Sequence, residues 1–156
     1  MPTHAEKRLI HHTPEQMFEL VADIEKYPEF LPWCVATRIR EKGEEDGADL
    51  LIADMVIGFK MFREKFTSKV VCQRPGRIDV KYFDGPFKYL NNHWSFEAHT
   101  GDGGKAECMI DFYVDFEFKS HLFQAAIGAA FNKAVTRMIQ AFEKRADELY
   151  GPPVFK

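Results

Sequence analysis

The chain has 156 residues, of which 21 are Lys or Arg and 24 are Asp or Glu, so its formal net charge is −3. This balance argues against a protein whose main task is to grip a nucleic-acid backbone, and no DNA partner is expected. The length suits one domain whose core is large enough to be stable without a disulfide or a metal. The aromatic content is unusually high: 15 Phe, 5 Tyr and 2 Trp supply flat apolar side chains for a packed core or for the lining of a cavity.

The three cysteines are widely spaced and form no Cys-x-x-Cys motif. A sparse, odd set of cysteines is typical of a reducing compartment. Glu6 precedes any apolar stretch that could form the core of a signal peptide, and the longest apolar run, residues 125–131, is too short to span a bilayer. We therefore expect a cytoplasmic protein, and a peripheral, transient contact with the inner membrane surface stays open.

The first elements are predicted to be a strand at residues 4–12 and a helix after it. Thr13, Pro14 and Gln16 form a helix start, since they supply an N-cap, a first-turn proline and the partner of a capping box. The segment 24–33 contains two prolines and several bulky aromatic residues, which favours a second short helix that ends in a turn.

From residue 35 to residue 118, strand-like stretches alternate with turn residues. Breaks are predicted at 43–47, 58, 74–76, 84–86 and 101–104, and they leave five or six strands. Each strand is too close to its neighbour for a crossover helix, so an antiparallel meander is predicted. The clearest strand is 108–118, in which apolar residues alternate with acidic or amphipathic ones.

A long helix is predicted after Ser120, running to about Leu149 and ending at Gly151. An apolar stripe follows it, formed by Phe123, Ile127, Phe131, Val135, Met138 and Phe142. The element order predicts one α+β domain at residues 1–150 with a short tail at 151–156. The economical packing is a curved antiparallel sheet of about seven strands wrapped around the final helix, with two short N-terminal helices closing one end. Such packing either fills the interior with rings or leaves an apolar cavity.

Residues 59–71 predict a strand with two unlike faces. The inward face carries Phe62, Glu64, Phe66 and Ser68. The opposite face is basic and carries Lys60, Arg63, Lys65 and Lys69. An ionised carboxylate in an apolar interior is costly unless it is paired, so an inward Glu64 would favour its neutral form and could orient the polar head of a ligand. A bulge that turns Glu64 outward and a structural ion pair with an arginine are the alternatives.

The other residues predicted to contact a ligand lie in the aromatic segments and in the last helix. They are Phe30, Leu31, Trp33, Trp94, Phe96, Phe112, Val114, Phe123, Ile127 and Phe131. The competing role of each of these side chains is ordinary packing in the core.

The sequence contains no HExxH, GxSxG, P-loop or GxGxxG motif. His11 and His12 are adjacent in a predicted strand and would point to opposite faces, so they do not suggest a metal site. We therefore expect no enzyme, no metal and no cofactor. The basic face is expected to be solvated, and ribosomal RNA or anionic lipid is the alternative partner for it.

Four segments resemble the coenzyme Q-binding START-domain family. They are residues 27–34 (YPEFLPWC), 62–70 (FREKFTSKV), 84–90 (DGPFKYL) and 94–96 (WSF). The resemblance extends from about His4 to Leu149 and implies the helix-grip, START-like fold, which agrees with the element order.

The resemblance also implies a function. It implies that the protein binds ubiquinone or a related polyprenyl quinone in support of respiratory electron transport, without catalysis. We therefore expect a monomer that holds the ligand in an internal cavity and acts as a carrier or chaperone. The same family contains bacterial ribosome association toxins, so binding to the large ribosomal subunit and interference with subunit joining is the alternative. A small-molecule enzyme of the same architecture, such as a cyclase, is a third possibility.

Overall fold

Seven antiparallel strands form one sheet in the computed structural model, which describes residues 3–59, 62–128 and 131–151. The strands are β1 (Thr3–Ile10), β2 (Cys34–Glu45), β3 (Ala48–Phe59), β4 (Phe62–Gln73), β5 (Arg77–Asp84), β6 (Phe87–Thr100) and β7 (Ala106–Phe118). Their spatial order is β1-β7-β6-β5-β4-β3-β2. The meander of β2 to β7 is therefore continuous, and β1 extends it by pairing with β7. The predicted α+β class and strand count are confirmed.

The first helix, α1 (Pro14–Ala22), begins as its sequence predicts. The Gln16 amide N–H donates to Thr13 Oγ1 at 3.2 Å, and the Thr13 N–H donates back to Gln16 Oε1 at 3.0 Å, which completes the capping box. The predicted first strand is too long, because β1 ends at Ile10 and the two histidines lie between it and the cap. Apolar residues of α1 are buried: Met17, Phe18, Leu20 and Val21.

The second short helix is present but differs in kind and length from the prediction. It is a 3-10 helix, Ile24–Glu29, with Pro28 inside it. The Tyr27 hydroxyl donates a hydrogen bond to the Val21 carbonyl oxygen, which ties this helix to the end of α1. Both helices therefore close the same end of the sheet.

The strand break predicted at Gly58 is present but displaced. Gly58 itself belongs to β3 and lies opposite Arg63 of β4, and the break falls between Phe59, where β3 ends, and Phe62, where β4 begins. The breaks around Gly47, Pro75, Gly85 and residues 101–104 are confirmed by the strand bounds. An isolated glycine inside a strand is a weaker signal than a run of turn residues.

The helix predicted after Ser120 is described as two segments, α2 (His121–Gly128) and α3 (Phe131–Tyr150), and residues 129 and 130 between them lie outside the described residues. The buried stripe of α3 consists of Val135, Ile139, Phe142 and Ala146. The Phe142 ring lies 5.1 Å from the Trp94 ring of β6, so α3 packs against the inner face of the sheet. Within the described residues, no helix has the length and apolar character needed to cross a bilayer.

Candidate ligand-binding cavity

A cavity of about 300 Å³ lies between the sheet and α3 and is bordered by α1 and the 3-10 helix. Its volume is at the lower end of the range for small-molecule sites. Most of its described wall is apolar. The strands contribute Met55, Ile57, Phe66, Val70, Val80, Phe87, Leu90, Trp94, Phe112, Val114, Phe116 and Phe118. The helical side contributes Val21, Ile24, Leu31, Ala134, Val135, Met138 and Phe142.

A few polar side chains interrupt this wall. Glu64 and Ser68 come from β4, and Asn92 comes from β6. The Asn92 amide donates to the Tyr113 carbonyl oxygen at 2.8 Å. Ser68 is buried, and its hydroxyl makes no hydrogen bond within the described residues. The cavity is therefore an apolar space with a small number of polar groups on its surface, which is the usual composition of a site for an apolar ligand with a polar head.

The inward face of β4 is confirmed. Glu64, Phe66 and Ser68 all line the cavity, while Arg63 and Lys65 are exposed on the other face. The β3–β4 register is continuous through the pair Ile57 and Glu64, so no bulge turns Glu64 outward. Among the described residues, no ion pair or hydrogen bond involves Glu64, which removes the alternative of a structural pair with an arginine there.

Eight of the residues predicted to bind a ligand lie on the cavity wall. They are Leu31, Trp33, Glu64, Phe66, Ser68, Trp94, Phe112 and Val114. Contact of each with a ligand stays a prediction. The side chains of four others, Phe62, Phe123, Ile127 and Phe131, lie outside the described part of the structure.

Phe30 and Phe96 are not among the residues that line this cavity, and their contact with a ligand stays a prediction. The Phe30 ring packs edge-on against Phe142 at 5.3 Å, under the guanidinium of Arg145. The Phe96 ring lies 5.9 Å from Phe18 of α1. Phe96 shares a strand face with the cavity residue Trp94, but it is two positions nearer α1, whose side chains fill the space there.

Adjacent strand residues point to opposite faces, yet Trp33 and Cys34 both line the cavity. Trp33 has a φ of +64°, so the chain does not follow strand alternation at this point. Burial raises the pKa of the Cys34 thiol to about 11, which keeps the thiol protonated at neutral pH. Asn92 was not recognised as a site residue, although a polar residue on an otherwise apolar strand face was a usable signal.

The basic face of β4 is solvent-exposed but partly neutralised. Lys69 Nζ lies 2.9 Å from Glu45 Oε2 of β2. Arg63 and Lys65 are exposed, and Lys60 lies outside the described residues. Lys81 of β5 pairs with Lys69 in the strand register and is also exposed, so it extends the basic face.

A second, larger pocket of about 610 Å³ lies on the surface between α1, the 3-10 helix, β3 and the end of α3. Two of its guanidiniums are engaged in ion pairs. Arg74 pairs with Glu19 and Asp49, and Arg145 lies 2.9 Å from Glu29. In the described ranges, no three His, Cys, Asp or Glu side chains come together as a metal site.

Comparison with known proteins agrees with this architecture. The model of the polyketide cyclase/dehydrase and lipid transport family matches residues 10–143. The chain belongs to this family. A START superfamily protein from Mycobacterium smegmatis has the same fold, with a TM-score of 0.74 at 17% identity, over 94% of this chain and 98% of that one. The predicted START-like resemblance and helix-grip fold are confirmed.

Two family members have names that refer to different functions. Ribosome association toxin RatA of Rickettsia prowazekii is 34% identical over 146 residues, which are 91% of this chain and 94% of that protein. Coenzyme Q-binding protein COQ10, mitochondrial, of Drosophila melanogaster is 30% identical over 151 residues, which are 96% of this chain and 60% of that protein. Both are named for binding or association.

Proposed function

We propose that this chain binds a polyprenyl quinone of the ubiquinone type in the cavity and acts as a carrier or chaperone for respiratory electron transport. The observation that carries the proposal is the cavity itself, whose wall is aromatic and aliphatic with Glu64, Ser68 and Asn92 as polar exceptions. The similarity to a coenzyme Q-binding protein over 96% of this chain supports the choice of ligand.

The tail of such a ligand can supply the affinity. Burying one methylene contributes about 0.8 kcal/mol, so one five-carbon isoprene unit contributes on the order of 4 kcal/mol. Ordering and association costs take a large share of this energy. A cavity of about 300 Å³ suits a quinone ring and a short part of the tail. In this proposal the chain works as a monomer without catalysis, and it meets a membrane surface transiently to exchange the ligand.

Extraction of the purified protein with organic solvent, followed by mass spectrometry, would identify a bound lipid. Fluorescence gives a second test, because both tryptophans of the chain, Trp33 and Trp94, line the cavity. A short-tailed ubiquinone should quench their emission saturably and with one-to-one stoichiometry. Absence of both a co-purified quinone and saturable quenching would refute the proposal.

Ribosome association is the second candidate, and the 34% identity to a protein named for it is the observation in its favour. The basic face of β4 would be the contact, with Arg63 and Lys65 exposed. The double variant Arg63→Glu with Lys65→Glu would then lose co-sedimentation with the large subunit and keep quinone binding. The charge-matched control Lys7→Glu with Lys119→Glu changes exposed lysines outside β4. We expect little association of the wild type at physiological salt, and strong, salt-sensitive association lost only in the β4 variant would establish this candidate instead.

A further inference from the structure

Ser68 and Asn92 are inward-facing polar residues on two strands separated by β5. Ser68 lies opposite Tyr82 of β5, and Asn92 lies opposite Val80 of the same strand. The two residues are therefore two strands apart and offset by two positions along the strand. With usual strand spacings, their Cα atoms are about 12 Å apart in a flat sheet and closer in a curved one.

The Ser68 hydroxyl has no hydrogen-bond partner within the described residues. Ser68 is only 5% exposed and lines the cavity. A hydroxyl can donate one hydrogen bond and accept two. Burial of such a group without a partner is unfavourable, and native proteins rarely leave it so. A ligand oxygen in the cavity would satisfy it.

The Asn92 amide is held in place and still has free hydrogen-bonding capacity. One of its N–H groups donates to the Tyr113 carbonyl oxygen at 2.8 Å, which fixes the orientation of the side chain. The second N–H and the amide oxygen remain for a ligand, since an Asn side chain has two donors and an acceptor. The side chain is thus positioned before any ligand binds, which lowers the entropy cost of binding.

We infer that Ser68 and Asn92 form the head-group end of the cavity and bind two oxygens on opposite sides of one flat ring, as in a para-quinone. This inference rests on the proposed function. The ring would lie over Val80, beside the aromatic pair Trp94 and Phe112, whose centroids are 4.6 Å apart. The apolar surroundings strengthen each hydrogen bond to the ligand.

Glu64 is the competing contact for the ring. It lies four residues from Ser68 on the same strand, about 13 Å along β4, which is close to the spacing between Ser68 and Asn92. Glu64 and Asn92 are both half-buried, whereas Ser68 is nearly inaccessible. The Asn92 amide is fixed by its hydrogen bond to the Tyr113 carbonyl oxygen, whereas no hydrogen bond within the described residues fixes Glu64, so we place the ring at Ser68 and Asn92 and the tail beside Glu64.

Binding of a short-tailed ubiquinone and of a polyprenyl hydrocarbon of the same tail length without oxygens tests this assignment. Ser68→Ala should weaken quinone binding about 3- to 10-fold, the loss of one net hydrogen bond, and leave hydrocarbon binding unchanged. Ser68→Thr keeps the hydroxyl and should keep most of the affinity. The control Ser95→Ala removes a hydroxyl near Arg77 on the outer face and should change neither affinity.

Asn92→Leu should also weaken quinone binding selectively, provided that circular dichroism shows it folded. If it does not fold, the Ser68 pair of variants and a ring analogue with a single oxygen decide the question, because the analogue should lose one of the two head-group contacts. Unchanged quinone affinity in Ser68→Ala together with a selective loss in Glu64→Leu would place the ring at the other end and overturn the inference. If the wild type bound neither compound, the proposed function itself would fail.

Discussion

His12 Nε2 lies 2.7 Å from Asp147 Oδ1, and this contact joins the segment after β1 to the last turns of α3. The two residues are 135 positions apart in the sequence. His12 is only 5% exposed, and the Tyr150 ring packs beside it with a centroid distance of 5.9 Å. Since α3 forms one wall of the cavity, this contact helps to hold the wall in place.

Asp147→Ala should destabilise the fold. It leaves a buried His12 nitrogen without its partner, so the free energy of unfolding should fall by about 1–3 kcal/mol. Urea denaturation followed by circular dichroism would measure the change. Glu148→Ala is the matched control, because Glu148 is exposed on the same helix and should change stability little. Equal stabilities of the two variants would show that the His12 contact contributes nothing.

Sequence patterns predicted the elements of this fold because most of them depend on local signals. The capping box at Thr13 and Gln16 requires only residues three positions apart. In β7, apolar residues alternate with acidic or amphipathic ones, and this pattern alone predicts one buried face. The structure buries the predicted residues, which are Cys108, Ile110, Phe112, Val114, Phe116 and Phe118. The break predicted at Gly58 is displaced because the end of β3 depends on pairing with β4, which no local pattern reveals.

The cavity could be predicted only in part, since a shared strand face does not determine what covers it. Trp94 and Phe96 have the same orientation on β6, yet α1 covers Phe96 and the cavity borders Trp94. The positive φ of Trp33 likewise has no simple sequence signal, because this conformation is unusual for a bulky residue. Tertiary packing, and not the local sequence pattern, therefore determines which aromatic rings fill the core and which line the cavity.

Gly85→Ala should disturb the cavity through Phe66. Gly85 has a φ of +148°, and a Cβ there would lie 2.6 Å from the Phe66 Cβ, far inside contact distance. We expect a loss of more than about 1 kcal/mol in stability and weaker quinone binding, since Phe66 lines the cavity. Thermal unfolding and tryptophan quenching would measure the two effects.

Gly47→Ala is the matched control for this substitution. Gly47 has a φ of +84°, so alanine is strained there too, but no atom lies within 4 Å of the added Cβ. It should lose stability without losing quinone affinity. If Gly85→Ala and Gly47→Ala bound quinone equally well, the added Cβ at residue 85 would not displace Phe66 in the cavity wall.

Bound ligand should protect Cys34 from alkylation. Burial raises the pKa of this thiol to about 11, so its reaction with iodoacetamide at pH 8 should be slow and should accelerate about tenfold per pH unit. Because Cys34 lines the cavity, a saturating short-tailed ubiquinone should slow the reaction further. Peptide mass spectrometry distinguishes Cys34 from the buried Cys72 and Cys108, which serve as internal controls. An alkylation rate at Cys34 that is independent of quinone would argue against a ligand at this part of the wall.

Asp54 should make stability depend on acidic pH. It is buried on the outer face of the sheet, where Arg40 Nε lies 2.6 Å from it and the Thr67 hydroxyl donates to it at 2.5 Å. Burial opposes its ionisation, but the hydrogen bond from Thr67 and the Arg40 guanidinium outweigh this effect and hold the pKa of Asp54 below its ordinary value. A lowered pKa means that ionised Asp54 stabilises the folded state above the unfolded value of about 3.9, and that this contribution is lost as the pH falls through the folded value.

The variant Asp54→Asn should therefore be less stable than the wild type by about 1–3 kcal/mol at pH 7, and the difference should shrink as the pH falls below about 4. Denaturant unfolding of both proteins between pH 7 and pH 2.5 would measure it. Asp49→Asn is the control, because Asp49 pairs with Arg74 at an exposed site and should contribute at most about 1 kcal/mol. A difference between wild type and Asp54→Asn that stays constant down to pH 2.5 would mean that steric fit, and not the charge of Asp54, stabilises this part of the sheet.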